Sequence, residues 1–226
     1  GTRQRRVGAD FVLDAITKSV PFVFKMAMSK VLDPQASYTF HSYFEMRYNV
    51  ADILADLGFS YDRRYLKLPQ SERSLDASRI EETLQRNLRY AEPSSEAARR
   101  EMLIAPVLVE LCELVDARLD IEYPIRVSNW LKGSIDYRVM TTNTITVVEA
   151  KQADLTHGFV QLAAELIALD KWIEEDVPLL YGAVTTGEDW RFGILDRGAK
   201  QVTQDIALYR VPENVETLLR VLMTVA

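Results

Sequence analysis

A single cysteine and two histidines are all that the 226 residues offer to disulfide or zinc chemistry. Cys112 has no partner for an internal disulfide, and with His41 and His157 it cannot complete a four-ligand zinc centre. Its neighbours Val109, Leu111, Leu114 and Val115 predict a buried thiol in a reducing compartment. Long apolar runs are also missing. Val20 to Met28 is interrupted by Lys25 and is far shorter than a membrane span. The basic start at Arg3, Arg5 and Arg6 has no apolar signal region behind it and reads as a solvated terminus rather than a phosphate-contacting arm. A soluble intracellular protein is expected, cytoplasmic or, in a eukaryote, nuclear, with no membrane partner. Positive charge is in deficit, 27 Lys and Arg against 33 Asp and Glu, for a net charge of −6. The whole chain therefore cannot gather a polyanion, and nucleic acid would need a local basic groove or a partner subunit to build one. Neither a Gly-x-x-x-x-Gly-Lys phosphate loop, a dinucleotide-binding glycine fingerprint nor a Gly-x-Ser-x-Gly elbow is present.

What is present is globular: 48% apolar, 27% charged and 9% aromatic residues. Tyr43, Met46, Val50, Ile53, Leu54 and Leu57 recur at helical spacing and stop at Gly58. Phe59 to Leu68 reads as a strand closed by Pro69, and Leu75 to Tyr90 as a polar helix with Ile80, Leu84 and Leu88 on one stripe. The turn-rich Ala91 to Ser95 marks a boundary. It divides a mainly helical N-terminal region, residues 1–93, suited to targeting or assembly, from a core over 94–226. In that core Ser95 caps a helix bearing the apolar run Met102 to Val115, with Pro106 as a kink. Three strands follow (Ile121 to Val127, Ser134 to Met140, Thr144 to Ala150), then a helix from Thr156 that ends before Pro178. Two further strands (Leu179 to Thr185, Arg191 to Leu195) and a last helix, Val215 to Val225, complete an α/β (α+β) core, a mixed sheet flanked by helices.

The chemistry concentrates on the second and third strands. If Thr142-Asn143 is a two-residue loop, paired positions sum to 285, and Asp136 lies across from Glu149. Directly opposed side chains share a face with Cβ atoms about 5 Å apart, so two carboxylates there repel unless a proton or a cation intervenes. Lys151, two residues beyond Glu149, falls on the same face. Mg²⁺ or Mn²⁺ can be held by one or two carboxylates at about 2.1 Å while a phosphate oxygen completes the shell. An amine beside it could position the attacking water. The chemistry implied is metal-assisted hydrolysis of a phosphodiester. Glu101 lies on the helical line of Ala105, Leu108, Cys112 and Val115 and is expected to face inward; it is preferred as a site acid to Glu96, which can instead complement the helix dipole. Gln161 and Glu165 share a helical face, and are read equally well as solvent-facing polar residues. His157 is a polar residue of that helix's first turn. Trp130 and Lys132 read either as a base-stacking and phosphate-contacting pair or, more commonly for such a Trp, as packing on the sheet.

Glu101 on an upstream helix, Gly133-Ser134-Ile135-Asp136, Val148-Glu149-Ala150-Lys151, and Gln161 with Glu165 on the next helix together resemble the PD-(D/E)XK nuclease superfamily. The resemblance covers the last 130 residues or so, and Ile135 stands where the family title has proline. It implies a restriction-endonuclease-like fold and a Mg²⁺- or Mn²⁺-dependent endonuclease, with DNA favoured over RNA as the partner. It further implies Asp136, Glu149 and Glu101 as metal ligands, Lys151 as the catalytic lysine and Gln161 as the helix glutamine. A homodimer or larger assembly would help an acidic chain build its groove. The alternative is a nuclease-fold module without turnover, used for nucleic-acid binding or protein assembly.

Overall fold

The computed structural model describes residues 30–141, 145–150 (by their backbone) and 154–226. Eight strands form one mixed sheet: β1 (Ser60–Arg64), β2 (Arg118–Arg126), β3 (Lys132–Met140), β4 (Ile145–Ala150), β5 (Leu179–Thr185), β6 (Asp189–Asp196), β7 (Gln201–Asp205) and the short β8 (Tyr209–Arg210). Their order is β1-β7-β6-β5-β4-β3-β2, with β8 paired to β6. The β1–β7 and β4–β5 pairs are parallel and the rest antiparallel. Helices α1 (Phe40–Glu45), α2 (Val50–Asp56) and α6 (Leu155–Trp172) cover one face. The other carries α3 (Ser78–Tyr90), α5 (Ala105–Val115) and α7 (Val215–Val225), while α4 (Glu96–Arg99) leads into α5. The α/β class with a mixed sheet is as expected.

Strand alternation assigns the faces. On β5, Leu180 and Val184 join the α6 side and Ala183 the opposite one; on β6, Leu195 joins α6 while Trp190 and Phe192 face α7. Every residue of α6 from Gly158 to Leu169 is buried, because the segment is apolar apart from Gln161 and Glu165 and lies between the sheet and the α1–α2 layer. Its approach to the sheet is set by Gly193, where an added Cβ would meet Phe159 Cε2 at 2.7 Å.

Several expectations change here. The helical line from Tyr43 to Leu57 is two helices, because Met46–Asn49 breaks it and Asn49 caps α2 by accepting from the Ala51 N–H at 2.9 Å. Gly58 does follow α2, with φ +86°. The boundary at residue 93 does not separate two bodies: the described part of the N-terminal region supplies an edge strand of the sheet, β1, and packs into both cores. Two strands went unforeseen, β7 and β8. Cys112 is half-buried rather than buried, and desolvation pushes its thiol pKa up. Among the described residues no helix is long and apolar enough to cross a membrane.

Gly193→Val should overpack the α6–sheet contact and lower stability by about 1–3 kcal/mol, read as a reduced urea midpoint. Gly198→Ala, whose new atom meets nothing nearer than 3.5 Å, should leave that midpoint almost unchanged.

Candidate functional site

β3 and β4 pair Met140 with Ile145, Val139 with Thr146, Arg138 with Val147 and Tyr137 with Val148. Every pair sums to 285, the register expected from the two-residue loop, although Thr142 and Asn143 themselves lie outside the described residues. The β3–β4 ladder ends at Tyr137 and Val148, one position short of Asp136 and Glu149, which the same register carried one step further would bring opposite each other; on its other side β4 pairs Glu149 with Val184 of β5. Lys151 and the side chain of Glu149 lie outside the described residues.

Asp136 is half-buried and opens onto a cleft of about 680 Å³. Four elements build its walls: α1, the start of α4, β3 and α6. The α1 wall can sit so close because residue 133 is glycine. Gly133 has φ +144°, and a Cβ there would meet Phe40 Cδ2 at 2.9 Å. His41 and Phe44 project from α1 into this wall with rings stacked at 6.1 Å, and Phe44 meets His157 edge-on at 6.2 Å.

The acid that the first core helix presents to the cleft is Glu96 and not Glu101. Ser95 caps α4 as expected, accepting from the Ala98 N–H at 3.1 Å. The chain then makes a π-helical turn over Arg100–Ile104 before α5 resumes. That wider turn breaks the α-helical phase, so the line from Glu101 through Ala105 to Leu108 does not hold across it. Glu101 is exposed and borders a separate shallow depression beside Ile121 and Tyr137. Pro106 has no N–H to offer the Met102 carbonyl four residues back, and the Asn87 side-chain amide donates to it at 2.8 Å. The proline was the available signal that helical phase could not be carried through this segment.

Gln161 and Glu165 are buried, 4% and 0% exposed, because α6 has no solvent face on which to place them. Gln161 Nε2 donates to Glu165 Oε1 at 3.0 Å. Gln161 Oε1, in the wall of the cleft, is buried and has no hydrogen-bond partner among the described residues. An orphaned acceptor costs about 1–3 kcal/mol. Arg100 lies within electrostatic reach of Asp136. Burial opposes its charge, but the Tyr137 hydroxyl, at 3.2 Å from Nε, and the Asp136 and Glu122 carboxylates outweigh burial and raise the arginine above its usual value.

The two carboxylates that line the cleft, Asp136 and Glu96, are oxygen donors, the ligand type that suits Mg²⁺ or Mn²⁺ better than zinc. Among the described residues no three His, Cys, Asp or Glu side chains come together as a metal-holding group. Trp130 packs against the α6-side core and its indole N–H donates to the Asp33 carbonyl at 3.1 Å, while Lys132 Nζ bonds Ser37 Oγ. Both serve packing. His157 sits in the first turn of α6 as expected. Asp154 caps the helix, accepting from the His157 backbone N–H at 3.0 Å and lying 2.6 Å from His157 Nδ1.

Compared with known proteins, the chain matches no family model, and no curated protein matches it in sequence.

The backbone bond from His157 is the main cause holding Asp154 below the usual carboxylate range. A depressed carboxylate adds stability above its unfolded pKa of about 3.9, and that stability is lost as pH falls through the lower folded value. Asp154→Ala should therefore cost about 1 kcal/mol at pH 7, and thermal melts of variant and parent should converge at strongly acidic pH.

Proposed function

We propose that the cleft is the active site of a divalent-metal-dependent nuclease that hydrolyses phosphodiester bonds, with DNA favoured over RNA. The observation that carries this reading is the β3–β4 register, which runs to Tyr137 and Val148 and, carried one position further, would set position 149 against Asp136 at a cleft also lined by Glu96 and Gln161. Two acids at opposed positions of adjacent central strands would destabilise a sheet without a cation to justify them. The resemblance of Asp136, Glu149 and Lys151 to the PD-(D/E)XK nuclease superfamily supports the same reading, and on it the sheet and its helices are a restriction-endonuclease-like core.

Asp136 and Glu149 would hold the Mg²⁺ or Mn²⁺ ion, with Glu96 in the acidic role expected of Glu101. The ion would supply charge neutralisation at the phosphate and a lowered pKa for water. Lys151 orients the attacking water and takes up or steers its proton. The water oxygen would bond to phosphorus as its proton passes to Lys151 or to solvent, the bond to the leaving oxygen would break, and that oxygen would take its proton from a solvent water. Gln161 lines the cleft wall, its amide held by the Glu165 carboxylate behind it. Arg100, close to Asp136, limits carboxylate repulsion before substrate arrives.

Plasmid and single-stranded substrates should be cut in Mg²⁺ or Mn²⁺, with Lys151→Ala and Asp136→Ala reducing the rate by about 10²–10⁴-fold. Calorimetric titration with Mn²⁺ should show binding abolished by Glu149→Ala, weakened by Glu96→Ala and unchanged by Glu101→Ala. Equal cleavage by parent and variants, or none in either metal, would leave a nuclease-fold module used for binding or assembly.

A further inference from the structure

An acidic chain that handles a polyanion needs cations close to its chemistry, and the sheet register shows where they are. Position 149 pairs with Val184 on β5, and Val184 pairs with Arg191 on β6. Paired positions share a face, so Arg191 lies on the α6 side of the sheet with Val184. At strand spacings of about 4.8 Å it is about 10 Å from position 149. Beyond it, β7 pairs with β6 and β1 with β7, placing Arg63 beside Gln204 at the same end of the sheet. Arg63 shares its face with Tyr61, which packs against the α6-side core.

Neither arginine makes an ion pair with a described residue. Arg63 is exposed. Arg191 is half-buried, and its Nε is buried with no hydrogen-bond partner among the described residues. Burial first, and then the charge of Arg63, pull Arg191 below its usual value. The acids within its field do not pair with it: Asp205 accepts the Leu66 and Ala207 N–H groups on Oδ1 while its Oδ2 is buried without a hydrogen bond among the described residues, and Asp189 faces Arg210 at 3.5 Å. Two guanidinium groups on one face of the sheet, neither ion-paired to a described carboxylate, are suited to successive anions of a polyanion.

We propose that Arg191 and Arg63 form a phosphate track that carries the nucleic-acid strand from the cleft across the end of the sheet. The inference rests on the nuclease reading of the cleft. Arg191 holds a phosphate neighbouring the scissile one, and Arg63 holds the backbone further along. The track gives a protein of net charge −6 its local basic footprint.

The test is binding of a labelled single-stranded deoxyoligonucleotide by fluorescence anisotropy in EDTA, where no metal-dependent cleavage occurs, over a salt series. Arg63→Gln and Arg191→Gln together should weaken binding about tenfold and lower the slope of log affinity against log salt by about 1.4, the value for two phosphate contacts on a single strand. Arg191→Lys should keep most of that slope, which loss of packing would not. Arg79→Gln, on the opposite layer and held by Glu110 and Glu113 at 2.8 Å, should change neither quantity. An unchanged slope in Arg63→Gln, an exposed position where folding is not at stake, and in a folded double variant would overturn the track even if the protein cleaves DNA. A reduced slope in a protein that cleaves nothing would uphold the track and remove the nuclease reading instead.

Discussion

The described part of this molecule is arranged around a helix whose middle has no solvent-facing side. The central segment of α6, Gly158 to Leu169, is buried throughout, and a helix of that composition must be enclosed on every side. The sheet encloses one side, opened at Gly193 to admit the Phe159 ring. The helices α1 and α2 enclose the other, which makes residues 30–93 part of the core rather than an appendage to it. At about 1.5–3 kcal/mol for each large side chain buried, uncovering α6 would remove more free energy than a typical domain has in reserve.

Enclosure also determines where polar groups can lie. Gln161 and Glu165 are carried into the interior by the helix and must find partners there; they find one another, and one amide oxygen is left over at the cleft. The same α1 that shields the helix forms a wall of that cleft by closing on Gly133. Cover, cleft and buried amide thus have one origin. The cleft lies at the carboxyl end of β4, where this strand passes from an antiparallel neighbour to a parallel one, the kind of location at which open α/β sheets leave room for ligands.

Strand periodicity and turn residues were enough to read β2 to β6, α6 and α7, and even the 285 register, because each depends on local pattern. The failures came from interactions that local pattern does not contain. β7, Gln201-Val-Thr-Gln-Asp, looks like a loop, yet Thr203, Gln204 and Asp205 are buried, with Gln204 held by the Tyr61 hydroxyl and Asp205 by two backbone N–H groups. Their partners lie far away in sequence. The inward position expected of Glu101 fails because a π turn has no strong sequence signature beyond the nearby Pro106; the turn leaves Glu101 exposed, and Glu96 lines the cleft. Arg191 passed unnoticed because nothing in its own strand links it to Glu149; only pairing through β5 does.

The edge pairing of β1 with β7 has a kinetic meaning. Tyr61 and Gln204, bonded to each other in the finished sheet, are 143 positions apart. Closing so large a loop is entropically slow, and contacts of this range are the ones that delay folding. On a ribosome the first strand emerges long before its neighbour has been synthesised, so it must wait with an unpaired edge while the middle of the chain assembles. The polar and charged Ser60-Tyr-Asp-Arg-Arg sequence is suited to that interval, since charge on a waiting strand discourages it from pairing with another chain.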